Sequence, residues 1–211
     1  MSERVILLHG LWMRAAALAP LAQRLRAAGF EPETFDYHSL RGGPDAAAQR
    51  LRALIYDSQG GPVHLVGHSL GGLVALEVAR QLTEKESSSP IGRVVCLGSP
   101  LRGSAAAVSM ARHWGTGWLM GDSAALLQRG LEDWCGRCEV GVIAGRLPVG
   151  LGALLGGLAR PHDGTVMVAE TELPGIHGHC VVSTSHTGLL LSGPATRQTV
   201  AFLRHGRFEA A

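Results

Sequence analysis

The segment that most restricts this chain lies between residues 63 and 78. Val63-His64-Leu65-Val66 is short and β-rich, the composition of a strand covered on both faces. Gly67-His68-Ser69-Leu70-Gly71-Gly72 follows at once, and Leu73, Val74, Leu76 and Val78 then supply the apolar side of a helix. A strand that becomes a helix within two residues must turn sharply, and the glycines leave room for that turn and for close helix–strand packing. Ser69 sits at the apex with its hydroxyl exposed, the position of an activated nucleophile. The plainer alternative is a glycine-rich turn with an incidental serine; the flanking strand and helix favour the nucleophile. His68 is expected to pack or hydrogen-bond near the site rather than to serve as the base.

The rest of the chain alternates in the same manner. Residues 4–8 read as a strand, and Leu18, Leu21, Ala22 and Leu25 mark a helix closed by Gly29. Residues 33–37 read as a second strand. A helix starting at Pro44 turns Ala47, Leu51, Leu54 and Ile55 inward. Further strands are expected at 91–97, 139–144 and 180–183, with helices at about 70–85, 123–131 and 194–204. Short apolar strands separated by helices predict a mostly parallel sheet of about six strands with helices on both faces. One domain over residues 1–211 is expected, with a small cap-like or irregular segment at 104–134 and a flexible glycine-rich loop at 146–162. Catalytic groups in such sheets gather at the carboxyl ends of the strands.

Composition removes other classes. Charged residues are 17% of the chain and the net charge is +2, so nothing in the balance points to nucleic acid. No apolar run reaches the ~18 residues of a membrane span. No leader is visible after Met1-Ser2-Glu3-Arg4, and a cytoplasmic location is the expectation. The four cysteines do not form a disulfide framework; Cys96 and Cys180 read as small core residues. Neither a metal nor a cofactor is expected.

A nucleophilic serine needs three kinds of partner. Oxyanion donors come first: the backbone N–H of Leu70 and that of Leu11, in His9-Gly10-Leu11-Trp12 after the first strand. The base is expected after the last strand, and His186 in Ser183-Thr184-Ser185-His186-Thr187-Gly188 fits. His177 and His179 fall just before that strand, at its wrong end. His162 is the rival; His38, His64, His113 and His205 read as core, loop or tail residues. The acid must lie between Ser69 and His186. Asp163, turned by Gly164, is favoured over Glu170, Glu172, Asp122 and Asp133, although an Asp before a Gly also serves purely structural turns. Trp12, Leu101 and Trp118 are the candidates for a pocket, with Leu11 and the region 110–120 beside them.

These motifs together resemble the α/β-hydrolase superfamily, and within it the small bacterial lipase-like esterases, over nearly the whole chain. Residues 9–12 resemble its oxyanion loop and 67–72 its nucleophile elbow. Gly98-Ser99-Pro100 with Gly103-Ser104 is similar to its loop after the following strand, and Asp163-Gly164-Thr165-Val166 and Ser185-His186-Thr187-Gly188-Leu189-Leu190 to its acid and histidine segments. The resemblance implies hydrolysis of carboxylic esters with an apolar acyl group, without a cofactor, through acylation of Ser69. The chain departs from the family's larger members in lacking a large cap domain, so esterase is better supported than long-chain lipase.

Three other readings stay open at this level. The same residues would serve acyl transfer to an alcohol or thioester cleavage. A ligand-binding protein on the same scaffold is a different class. Cys135-Gly136-Arg137-Cys138 resembles a thioredoxin-type redox motif, but the expected order of strand before and helix after is inverted. Residues 147–159 read either as a mobile flap that touches a lipid surface or as a loop packed under the core.

Overall fold

The computed structural model describes residues 2–39, 43–56, 61–85, 90–113, 116–150 and 158–210, with backbone alone at 43–44, 83–85, 112–113 and 116–119. Six strands form one sheet: β1 (Arg4–Leu8), β2 (Glu31–Phe35), β3 (Val63–His68), β4 (Ile91–Leu97), β5 (Glu139–Gly145) and β6 (Gly178–Val182). Their order is β2-β1-β3-β4-β5-β6, and every pairing is parallel. Each connection therefore crosses over one face, and helices do the crossing.

Alternation along the strands divides the core in two. Ile6 and Leu8, Val94 and Cys96, and Val140 and Val142 point to one face, where α2 (Gly43–Tyr56) and α3 (Leu70–Lys85) cover them. Val5 and Leu7, Val95 and Leu97, and Ile143 point to the other. There α1 (Ala19–Ala27) packs Leu21, Ala22 and Leu25, and α7 (Gly193–His205) packs Ala195, Phe202 and Leu203. Ser192 caps α7 by accepting from the Ala195 N–H at 3.2 Å, and Gly206 closes it in the left-handed conformation at φ 67°.

The strand and helix alternation expected from the sequence is present, with local corrections. The second strand runs 31–35, not 33–37. Pro32 obscured it, yet β2 is an edge strand, where a missing N–H is tolerated. The last strand runs 178–182, so His179 lies within it rather than before it; Gly178 and the two histidines around it hid the pattern. The segment after β4 holds more helix than the single one expected. It contains α4 (Ala105–His113), a 3₁₀ stretch (Thr116–Ser123) and α5 (Ala124–Arg129), and His113 ends α4 instead of lying in a loop. The small residues of α4 gave little apolar period; its start is fixed by Ser104, whose Oγ accepts from the Ala107 N–H at 3.2 Å. A one-turn helix, α6 (Val168–Thr171), also went unforeseen. Of the loop expected at 146–162, residues 151–157 lie outside the described residues. No helix among the described residues is long and apolar enough to cross a membrane.

Phe202 is fully buried, and its ring occupies the space that a Cβ on Gly141 of β5 would need, with contacts at 2.7 Å. Phe202→Ala should therefore lower the unfolding free energy by about 3–5 kcal/mol, read from urea titration with an unchanged m-value.

Candidate active site

β3 ends where the chain must turn into α3, and Ser69 takes the strain. Its φ is 54°, one of two positive values at non-glycine residues among the described positions. Two packing constraints enforce the turn. A Cβ on Gly67 would lie 2.4 Å from the Gly71 carbonyl, and one on Gly71 would lie 2.5 Å from the Leu8 oxygen. The helix start thus sits directly against the ends of β1 and β3. The Ser69 N–H donates to the Leu97 oxygen at 2.9 Å, which ties the turn to β4.

The next residue of that neighbour, Gly98, faces the other half of the site. A Cβ there would lie 3.1 Å from both Asp163 Oδ2 and His186 Nδ1. Those two atoms are 2.7 Å apart, a charge-assisted hydrogen bond by length. Asp163 is buried, and its second oxygen accepts from the Thr165 and Val166 N–H groups at 2.9 and 2.7 Å. The main chain repeats the pairing: the His186 N–H donates to the Asp163 oxygen at 2.9 Å. So the structure brings Asp163 and His186 together at the carboxyl ends of β4 and β5, with His186 against His68, the residue before Ser69. Among the described residues no hydrogen bond joins the Ser69 hydroxyl to His186.

The other residues weighed from the sequence have different employment. The Nδ1 of His162 accepts the Gly164 N–H at 3.1 Å and shapes the turn beside Asp163. Glu170 is buried, and burial raises its pKa. Its carboxylate accepts from Ala105 at 2.5 Å and from Met167 at 2.8 Å, which fastens the start of α4 to the Asp163 loop. Glu172, Asp122 and Asp133 are exposed.

The loop after β1 is held by residues that the sequence did not single out. The Tyr37 hydroxyl donates to the His9 oxygen at 2.7 Å, and the two rings stack at 4.3 Å. His9 Nδ1 lies 2.9 Å from the Gly10 oxygen, so the proton belongs on Nδ1, and Nε2 accepts the Tyr37 N–H at 3.3 Å. Trp12 has the second positive φ, 58°, and its N–H donates to Ser39 Oγ at 3.3 Å. The oxygen of Ser39 in turn accepts from Ser123 Oγ at 2.6 Å, a link to the segment after α4. Among the described residues neither the Leu11 N–H nor the Leu70 N–H has an intramolecular acceptor. No local pattern announces Tyr37, Ser39 or Ser123, because each acts across at least 27 residues of chain.

Of the expected pocket residues, Trp12 is half exposed at the rim. Leu101 is fully buried in the larger core. Its main-chain oxygen accepts from the Leu131 N–H at 2.6 Å. The Trp118 side chain lies outside the described residues. Cys135 is exposed, Cys138 buried, and both are free thiols. Burial pushes the Cys138 thiol up to about 12, far from a reactive thiolate.

A parallel sheet between two helical layers, with a left-handed serine at the joint of β3 and α3, is the architecture of an α/β hydrolase. The chain matches the sequence model of the alpha/beta hydrolase family over residues 5–208, and it belongs to that family. No curated protein matches it by sequence. Solved structures share the fold at low identity. A lipase from Bacillus licheniformis, in its mature form, is 20% identical with a TM-score of 0.77, covering 96% of this chain and 91% of that one. A phospholipase from Legionella pneumophila is 15% identical with a TM-score of 0.74, covering 97% of this chain and 60% of that one. A methylesterase from Arabidopsis is 16% identical with a TM-score of 0.63, covering 97% and 98%.

Gly98 has a φ of 56° and no space for a side chain. Gly98→Ala should cost about 1–3 kcal/mol of stability by urea titration, and it should part the Asp163–His186 pair, visible as loss of its downfield imidazole proton in NMR spectra.

Proposed function

We propose that this chain is a serine hydrolase of carboxylic esters with an apolar acyl group, using Ser69 as nucleophile, His186 as base and Asp163 as its partner. The observation that carries the reading is the buried Asp163–His186 hydrogen bond of 2.7 Å standing beside a strained serine at the end of β3. In this reading Ser69 Oγ attacks the ester carbonyl carbon while His186 Nε2 takes its proton. The developing oxyanion accepts from the Leu11 and Leu70 N–H groups. Asp163 holds the imidazole in the tautomer that can accept at Nε2 and stabilises the imidazolium. The tetrahedral intermediate collapses, and His186 passes its proton to the departing alcohol. Water, deprotonated by the same imidazole, then attacks the acyl-enzyme and frees the carboxylic acid and Ser69.

An apolar substrate agrees with the rim. Trp12, Leu147, Val149 and Leu191 are large apolar side chains exposed on segments that follow β1, β5 and β6, at the same end of the sheet as Ser69. The solved relatives named above are a lipase, a phospholipase and a methylesterase.

A fluorophosphonate should label the protein at Ser69, and labelling should vanish in Ser69→Ala; an unlabelled wild type would instead mark a binding protein on this scaffold. Asp163→Asn, which still fits but favours the wrong tautomer, should lower kcat on a nitrophenyl ester by about 10⁴-fold. Turnover with and without an added alcohol acceptor separates hydrolysis from acyl transfer.

The pH dependence has a definite sign. The base of this mechanism works neutral, so activity falls on the acid side. Burial holds His68 neutral, its pKa driven down to about 3. The acid limb of log kcat/KM should therefore rise with a slope near one, not two, in steady-state measurements across pH.

A further inference from the structure

His68, which ends β3, is buried and takes no part in the reaction above. Its Nε2 lies 3.0 Å from the main-chain oxygen of His186. A carbonyl only accepts, so Nε2 carries the proton. Its ring also packs on the His186 ring, with centroids 4.7 Å apart and planes tilted by 48°. Nδ1 is left with a lone pair, buried and without a partner among the described residues. That atom faces Gly10, where a Cβ would come within 3.1 Å of it. One imidazole therefore fills the space between the loop after β1 and the segment that carries the base.

We propose that His68 is a positioning residue for His186, acting through its Nε2–H bond to the His186 carbonyl and through contact between the two rings. The proposal rests on the triad reading given above. The main chain of His186 is then held at both ends. Its N–H is fixed by the Asp163 oxygen at 2.9 Å, and its oxygen is fixed by the residue beside the nucleophile. The Leu189 N–H reaches the same oxygen only at 3.3 Å while bonding Ser185 at 3.0 Å. With both ends held, the imidazole has one placement relative to Asp163 and Ser69. A space-filling role does not account for histidine here. A phenyl ring would occupy the same volume without burying an unpartnered nitrogen, so what histidine adds is the Nε2 donor.

The titratable groups that face His186 are Asp163, from the loop before α6, and His68, from β3; His9 faces His68 from the end of β1, and Glu170 stands beyond Asp163. Without the His68 bond, His186 drifts from Asp163 and its imidazolium is less well supported. The acid limb of the rate profile then moves to lower pH.

The test is steady-state kinetics on a nitrophenyl ester across pH for wild type, His68→Phe, His68→Gln and Ser69→Ala, with thermal melts. His68→Phe should lower kcat about 10–100-fold, leave KM within about threefold, and move the acid limb to lower pH. Glutamine places an amide N–H near the position of the histidine Nε2, so His68→Gln should restore most of kcat and return the limb. If His68→Phe does not fold, His68→Asn takes its place, since the shorter amide cannot span to the His186 oxygen. Wild-type kcat and pH limb in the donor-less variant, or equal losses in it and His68→Gln with the limb unmoved, overturn the proposal. Ester turnover that survives Ser69→Ala overturns the triad reading instead, and the two failures are read from different rows of the same panel.

Discussion

The organisation of this molecule depends on one unfavourable backbone conformation. Ser69 holds φ at 54°, a region that costs a non-glycine residue about 1–3 kcal/mol. The strain persists because β3 and α3 leave no alternative. β3 is buried along its whole length, α3 lays Leu73, Val74, Leu76 and Val78 on the sheet, and two glycines let the pieces meet at main-chain distance. Burying those four side chains stabilises the joint by several kcal/mol at ~25 cal/mol per Å² of apolar surface, so packing outweighs the strained torsion. The result is a serine lifted off the end of the sheet, with an N–H behind it that has no acceptor among the described residues.

The two flanks of that serine are held in different ways. On the acid side the bonds that aim Asp163 are local: Thr165, Val166 and the His162–Gly164 contact all lie within a few residues of it. On the side of the β1 loop they are distant. Trp12 is kept in its strained conformation by Ser39, Ser39 is held by Ser123, and His9 is held by Tyr37. Glu170 adds a buried carboxylate between the start of α4 and the Asp163 loop. The segment between β4 and β5 is therefore not an appendage. It is bonded to both flanks, so a change in its packing reaches the serine's surroundings through two independent routes.

That difference explains what could be read from the sequence. Gly67 to Gly72, Asp163-Gly164 and the His186 segment announce themselves because the physics that shapes them is local: a turn, a glycine, a strand end. The parallel sheet was legible because its strands are short, apolar and spaced by helices. Tyr37, Ser39, Ser123 and Glu170 carry no local signal, since each matters only through a partner far along the chain. β2 was misplaced by two residues because Pro32 argues against a strand everywhere except at an edge, and an edge is a property of the whole sheet.

Two histidines in contact at the heart of a site raise an electrostatic question, because the proposed reaction places a positive charge on one of them. Two like charges 4.7 Å apart would repel by about 3–4 kcal/mol at an effective dielectric constant near 20. That would erase more than two decades of the support that Asp163 gives the imidazolium. Burial removes the conflict. His68 has no route to solvent for a second proton, and its one proton is already committed to the carbonyl of His186. Its remaining nitrogen faces Gly10 rather than a carboxylate, and burial outweighs the attraction of Asp163 for a second proton. A neutral ring can then lie against the base and touch it without opposing its charge. The same burial that makes His68 unfit to be the base makes it fit to stand beside His186 in the proposed role of base.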